Sequence, residues 1–220
     1  MLTAARRHPS AILLFAQLAA ILVYPFLEDN TAGRAILSAL GIGFLALVVV
    51  VARSSPVIGW VAVVLALPAT VLLVIQVTGE HDELLGWSSA LEAALYFYAG
   101  YALVKYMLAD HEITTDELFA VGATFTLVAW AFAYVFQVIQ AVEPGSFIAA
   151  IDPEGERSWM ELLFLSFTTL TSTGLSDVVP VKPFARSVVM IEQLAGLGYV
   201  ALVVSRLVGL LVIGPRRRAG

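Results

Sequence analysis

The chain repeatedly runs apolar for some twenty residues and then breaks at a short polar turn, over 11–27, 34–52, 57–77, 84–108, 118–141 and 184–213. A helix of roughly 20 residues crosses a hydrocarbon slab of ~30 Å. No water satisfies the backbone inside such a slab, so each segment must be helical. Irregular backbone at that depth must be buried in protein or line a watery path. The expected class is an all-α integral membrane protein with six transmembrane helices, its partner the lipid bilayer. With 60% hydrophobic and 13% charged residues, no long polar block remains for a separate soluble domain, and no soluble partner is expected. A net charge of −5 disfavours nucleic-acid binding, which needs a basic face. The absence of cysteine removes disulfides, thiol nucleophiles and thiolate metal sites.

Residues 1–10 place Arg6, Arg7 and His8 before the first span, in the manner of a signal peptide, but Tyr24-Pro25-Phe26 is a poor small-residue cleavage site, so a retained helix is expected. Gly41 and Gly43 suit close helix packing in the second span. The acidic connector before the fifth span offers Thr114 or Thr115 as N-cap, with Asp116 and Glu117 in the first turn.

Two stretches break the pattern. Residues 159–170 are apolar yet far too short to cross a bilayer, and read as a re-entrant helix starting near Ser158. That helix opens directly into Phe167-Thr-Thr-Leu-Thr-Ser-Thr-Gly-Leu-Ser-Asp-Val-Val-Pro180, whose hydroxyls and single glycine are out of place against lipid.

Lysine and arginine orient the spans. With both termini cytoplasmic, the inside flanks hold Arg6, Arg7, Arg53, Lys105, Arg216, Arg217 and Arg218, against Arg34, Arg157, Lys182 and Arg186 outside. The expected location is the plasma (inner) membrane. The long loop 142–158, with Asp152, Glu154 and Glu156, then lies outside, where its carboxylates serve solubility or gather cations.

From Phe164 through Pro180 to Gln193 the sequence resembles the pore module of tetrameric potassium channels, whose filter reads Thr-x-Gly-Tyr-Gly-Asp before a hydrophobic pair and Pro. The resemblance covers about 118–213, and the earlier spans fit the six-span subclass in number and arrangement. It implies a voltage-gated-channel-like architecture, with a sensor-like domain over 1–112 and a pore domain over 113–220. It also implies a homotetramer and passive conduction of a monovalent cation such as potassium or sodium, with no other cofactor. The implied filter is Thr171, Ser172, Thr173, Gly174, Leu175, Ser176 and Asp177, with the cation held at Ser172, Thr173 and Gly174. The family's filter threonine falls on Ser172, its tyrosine on Leu175 and its second glycine on Ser176. Gly174 retains the freedom to aim carbonyls inward. At Ser176 a side chain disfavours positive φ by roughly 1 kcal/mol or more, and Leu175 lacks the hydroxyl with which the family braces its loop. Weakened potassium selectivity is expected. Thr-Gly-Leu-Ser also resembles the single-glycine loops of the Trk and Ktr potassium transporters.

The fourth span carries Lys105 and no arginine series, so little voltage sensing is expected, and Tyr96, Tyr98 and Tyr101 read as packing residues. Gly196 and Gly198 lie where the family's inner helix bends, which makes them hinge candidates or close-packing positions. Arg206, deep in an apolar segment, calls for a partner, either as a salt bridge at the cytoplasmic end or as a gating contact. Glu192 is expected to be buried and satisfied, by Arg186 or by the loop, and Glu92 is a weaker case of the same kind. Trp159 and Glu161 suit an interfacial anchor and a first-turn charge. His8, His81 and His111 are too scattered for a metal site. No Gly-x-Ser-x-Gly or His-Glu-x-x-His stretch points to an enzyme. A non-conducting scaffold or regulatory subunit and a secondary cation transporter remain the alternatives, although a transporter calls for paired broken helices and only one break is visible.

Overall fold

The computed structural model describes residues 9–27, 59–78, 84–109 and 114–213, together with Leu40, Gly43, Phe44, Ala46, Leu47 and Val50. Outside these lie most of the second apolar segment with Gly41 and the turns at 28–33, 53–56 and 79–83. So do His8, His81, His111 and the terminal arginines used for orientation. The helices are α1 (Pro9–Leu27), α2 (Gly59–Thr78), α3 (Leu85–Met107), α4 (Thr115–Val142), α5 (Trp159–Leu170) and α6 (Pro183–Ile213). Two short strands, β1 (Phe147–Ala149) and β2 (Val178–Pro180), add a feature that the all-α expectation lacked. Among the described residues, Pro9–Leu27, Thr115–Val142 and Pro183–Arg206 are long and apolar enough to cross a membrane, and Trp60–Gln76 is a shorter apolar helix.

α4 is the central element, packed against α3 most extensively and also against α1, α5 and α6. Its start is written locally: the Thr114 hydroxyl accepts from the Glu117 backbone N–H at 3.2 Å, so Thr114 rather than Thr115 is the cap. Small side chains let the α3 and α4 backbones approach. Ala93, Ala99 and Ala102 on one helix and Ala120, Ala123, Ala131 and Ala133 on the other are buried. Between these rows the large rings collect. Trp130 of α4 lies 4.6 Å from Phe44 and 5.2 Å from Trp159, which itself lies 5.2 Å from Tyr24 of α1, and Tyr96 stacks on Tyr134 at 5.5 Å. Trp159 is thus an anchor against protein. Of the three tyrosines read as packing residues, Tyr96 is buried and Tyr101 is exposed beneath Lys105.

At the opposite end of α4, polar groups gather. Asp116 accepts from the Ser10 backbone N–H at 3.1 Å, its hydroxyl at 2.9 Å and the Tyr106 hydroxyl at 3.3 Å. Next to it Glu117 pairs with Arg206 of α6 at 3.1 Å. The beginnings of α1 and α4 and the ends of α3 and α6 are thereby tied together.

Candidate ion-conduction loop

α5 begins with a full capping box. The Ser158 hydroxyl accepts from the Glu161 N–H at 3.3 Å while the Glu161 carboxylate accepts from the Ser158 N–H at 2.7 Å. Glu161 also pairs with Arg157 at 3.1 Å. The Arg157 backbone is held by Gln140 of α4, whose amide takes the Arg157 N–H at 2.9 Å and gives to its carbonyl at 3.0 Å. The entry angle of α5 is therefore fixed to α4.

The exit is fixed as firmly. The Ser172 N–H reaches the Thr169 carbonyl at 2.9 Å and the Thr173 N–H reaches the Thr168 carbonyl at 3.0 Å. With Ser172 at φ 59°, this is a Schellman closure, with serine where glycine is usual. The Gly174 N–H at 3.2 Å and the Thr173 hydroxyl at 3.3 Å also point at the Thr168 carbonyl. The Thr171 hydroxyl donates to the Phe167 carbonyl at 2.7 Å and stands 3.0 Å from the Thr173 hydroxyl. The threonines thus fold the chain back over the helix end.

Beyond the cap, Gly174 takes φ 66°, and a Cβ there would meet nothing within 4 Å, so its glycine answers to conformation and not to space. Ser176 stays out of the left-handed region, and its hydroxyl accepts from the Val178 N–H at 3.1 Å. The left-handed serine is Ser172, not Ser176. Leu175 is 77% exposed on the single chain, and Asp177 is exposed.

From Val178 the chain enters an antiparallel ladder, with Phe147 opposite Pro180, Ile148 opposite Val179 and Ala149 opposite Val178. The Val181 N–H continues it to the Ser146 carbonyl at 2.9 Å, and the Lys182 ammonium donates to the Pro144 carbonyl at 2.7 Å, near Glu143 at 3.6 Å. Residues 171–177 are therefore suspended between a helix cap and a strand. Sequence reasoning missed the ladder. Its only signal was the β-branched pair Val178-Val179 facing Phe147-Ile148 across the long loop.

Behind the loop, α6 runs unbroken through both hinge candidates. A Cβ on Gly196 would collide with the Leu170 carbonyl, so this glycine permits close approach to the end of α5, whereas at Gly198 nothing lies within 4 Å. One turn earlier Glu192 is fully buried and contacts the Ser166 hydroxyl of α5; Arg186 donates to the Pro180 carbonyl at 3.1 Å and is not its partner. Tyr199 donates to the Val121 carbonyl of α4 at 2.7 Å. Arg206 stands far from the loop, in its pair with Glu117.

No curated protein and no solved structure matches the chain. A family model described as "Ion channel" matches residues 123–212, which run from the first third of α4 through α5 and the loop almost to the end of α6. The chain is a membrane protein, and its α4–α5–loop–α6 region is similar to ion channels.

Proposed function

We propose that the protein is a passive cation channel in which four copies of the chain surround one pore, each giving the segment 171–177 as its share of the filter. The observation that carries this reading is the mounting of that segment: a helix of 12 residues, too short to span, ends in a cap from which the loop is strung to a strand. Polar backbone at such a depth must be buried in protein or line a watery path, and residues 171–175 are exposed on the single chain. One chain supplies one loop, and a ring of carbonyls about an axis needs several. The C-terminal end of α5 carries partial negative charge and favours a cation on that axis.

Potassium is selected when successive carbonyl rings replace its hydration shell. Gly174 keeps the inner part of that geometry available, with Ser172 and Thr173 beside it. Ser176 turns its hydroxyl to its own backbone and leaves the outer part with fewer ordered sites, so the pore discriminates weakly between potassium and sodium. Residues 113–220 then form the pore domain. Residues 1–112 form a charge-poor outer domain in a six-span chain of the plasma (inner) membrane, with both termini cytoplasmic.

Reversal potentials of purified protein in planar bilayers under opposed potassium and sodium gradients test this. A small reversal potential is expected for the native chain, and a shift towards the potassium equilibrium potential for a Leu175→Tyr, Ser176→Gly double variant. An intact tetramer in proteoliposomes that passes no alkali cation overturns the channel reading in favour of a scaffold or regulatory subunit.

A further inference from the structure

Ser166 lies in the middle of α5, fully buried, and its hydroxyl oxygen meets two acceptors at once. It is 2.7 Å from the Ala129 carbonyl oxygen of α4 and in hydrogen-bond contact with Oε1 of Glu192 of α6. A serine hydroxyl has one hydrogen to give. If that hydrogen goes to Glu192, two bare oxygens of Ser166 and Ala129 are left pressed together. If it goes to Ala129, the contact with Glu192 needs a hydrogen from the other side, and only the carboxyl group can supply it.

The surroundings favour the second arrangement. Glu192 is fully buried within a single chain, and its other oxygen, Oε2, has no hydrogen-bond partner among the described residues. The ion pairs found among the described residues in and around α4, α5 and α6 engage other carboxylates: Arg157 takes Glu161, Lys182 takes Glu143 and Arg206 takes Glu117. An ionised carboxylate in such a setting lacks both solvation and a counter-charge.

We infer that Glu192 is a positioning residue that remains a neutral carboxylic acid and donates to Ser166, which donates in turn to Ala129, so that one hydrogen-bond relay clamps α6 and α4 to the helix carrying the loop. The relay sits directly behind the candidate filter. Ser166 is five residues before Thr171, and Gly196, one turn beyond Glu192, lies against the Leu170 carbonyl at the end of α5. What the clamp holds in register rests on the channel reading, whereas the proton on Glu192 does not.

Infrared difference spectra of the purified protein in lipid at neutral pH, native minus Glu192→Gln, test the proton directly. The expected result is a native band in the carbonyl region of a protonated carboxylic acid that the variant lacks. A carboxylate band lost in its place overturns the inference whether or not the protein conducts. Absent cation flux would instead fail the channel reading. Bilayer recordings test the positioning role. Glu192→Gln, whose amide still donates to Ser166, keeps the native potassium-to-sodium permeability ratio, and Ser166→Ala, which breaks the relay without touching a charge, changes it. A ratio unmoved in Ser166→Ala, or moved equally in both, overturns that role.

Discussion

Gly174 lies in the loop and Gly196 behind it, and they are glycine for opposite reasons. At Gly174 the backbone is left-handed in open space, so alanine meets no atom but must hold a conformation that costs an L-residue roughly 1–2 kcal/mol. At Gly196 the helix is regular, and an added methyl strikes the Leu170 carbonyl, which cannot swing aside as a flexible side chain would. Gly174→Ala should therefore lower stability by about 1 kcal/mol, and Gly196→Ala by more, about 1–3 kcal/mol, the usual range for overpacking. Thermal unfolding in one detergent gives the order, and equal losses would show that α6 withdraws from α5 without strain. Sequence made Gly174 conspicuous because one glycine among hydroxyls has few other uses. It could not reveal the left-handed Ser172, since local preference argues against serine there and the Thr168 carbonyl, shared by several donors, decides in its favour.

Ion pairs join elements, and the two that flank α4 differ in setting. Arg206 and Glu117 join α6 to the start of α4, with side chains 16% and 5% exposed, whereas Lys182 and Glu143 meet between the start of α6 and the end of α4 at 35% and 43%. Removing one member of a buried pair leaves the other charge without solvent or partner, a loss of roughly 3 kcal/mol; an exposed pair contributes below about 1 kcal/mol. Arg206→Met should thus depress the unfolding midpoint strongly and Lys182→Met little, and adding salt should erase only the latter effect. A small effect of Arg206→Met would mean that water reaches this end of α6. Helix α5 was legible in the sequence. Residues 159–170 announced a helix by apolar length, and Ser158 with Glu161 announced its start. The antiparallel ladder was not, because strands of three residues carry no periodicity, and their pairing depends on two loops meeting in space.

For the whole molecule, the distribution of charge bears on voltage dependence. α3 contributes Lys105, whose ammonium lies over the Tyr101 ring, in place of the series of cations that gives steep voltage dependence at three to four gating charges per subunit, roughly. Conductance measured from strongly negative to strongly positive potentials should therefore vary shallowly, with no fast gating current. A steep curve would assign voltage sensing to groups other than α3. Around an aromatic centre α1, α4 and α5 interlock through Tyr24, Trp130 and Trp159.

The cap on α5 has a consequence for how such an assembly is built. Its hydrogen bonds join residues no more than six positions apart, so they close as soon as the helix forms, on the timescale of local structure. The ladder needs only the same chain's 143–149 segment. On the four-copy proposal, each chain can therefore present a segment already shaped before it meets its neighbours, and association then bears little of the ordering entropy that a floppy segment would impose on it. In the proposed tetramer the last step of biogenesis is then a docking event, and a variant that loosens the cap should betray itself first as slow or incomplete oligomer formation.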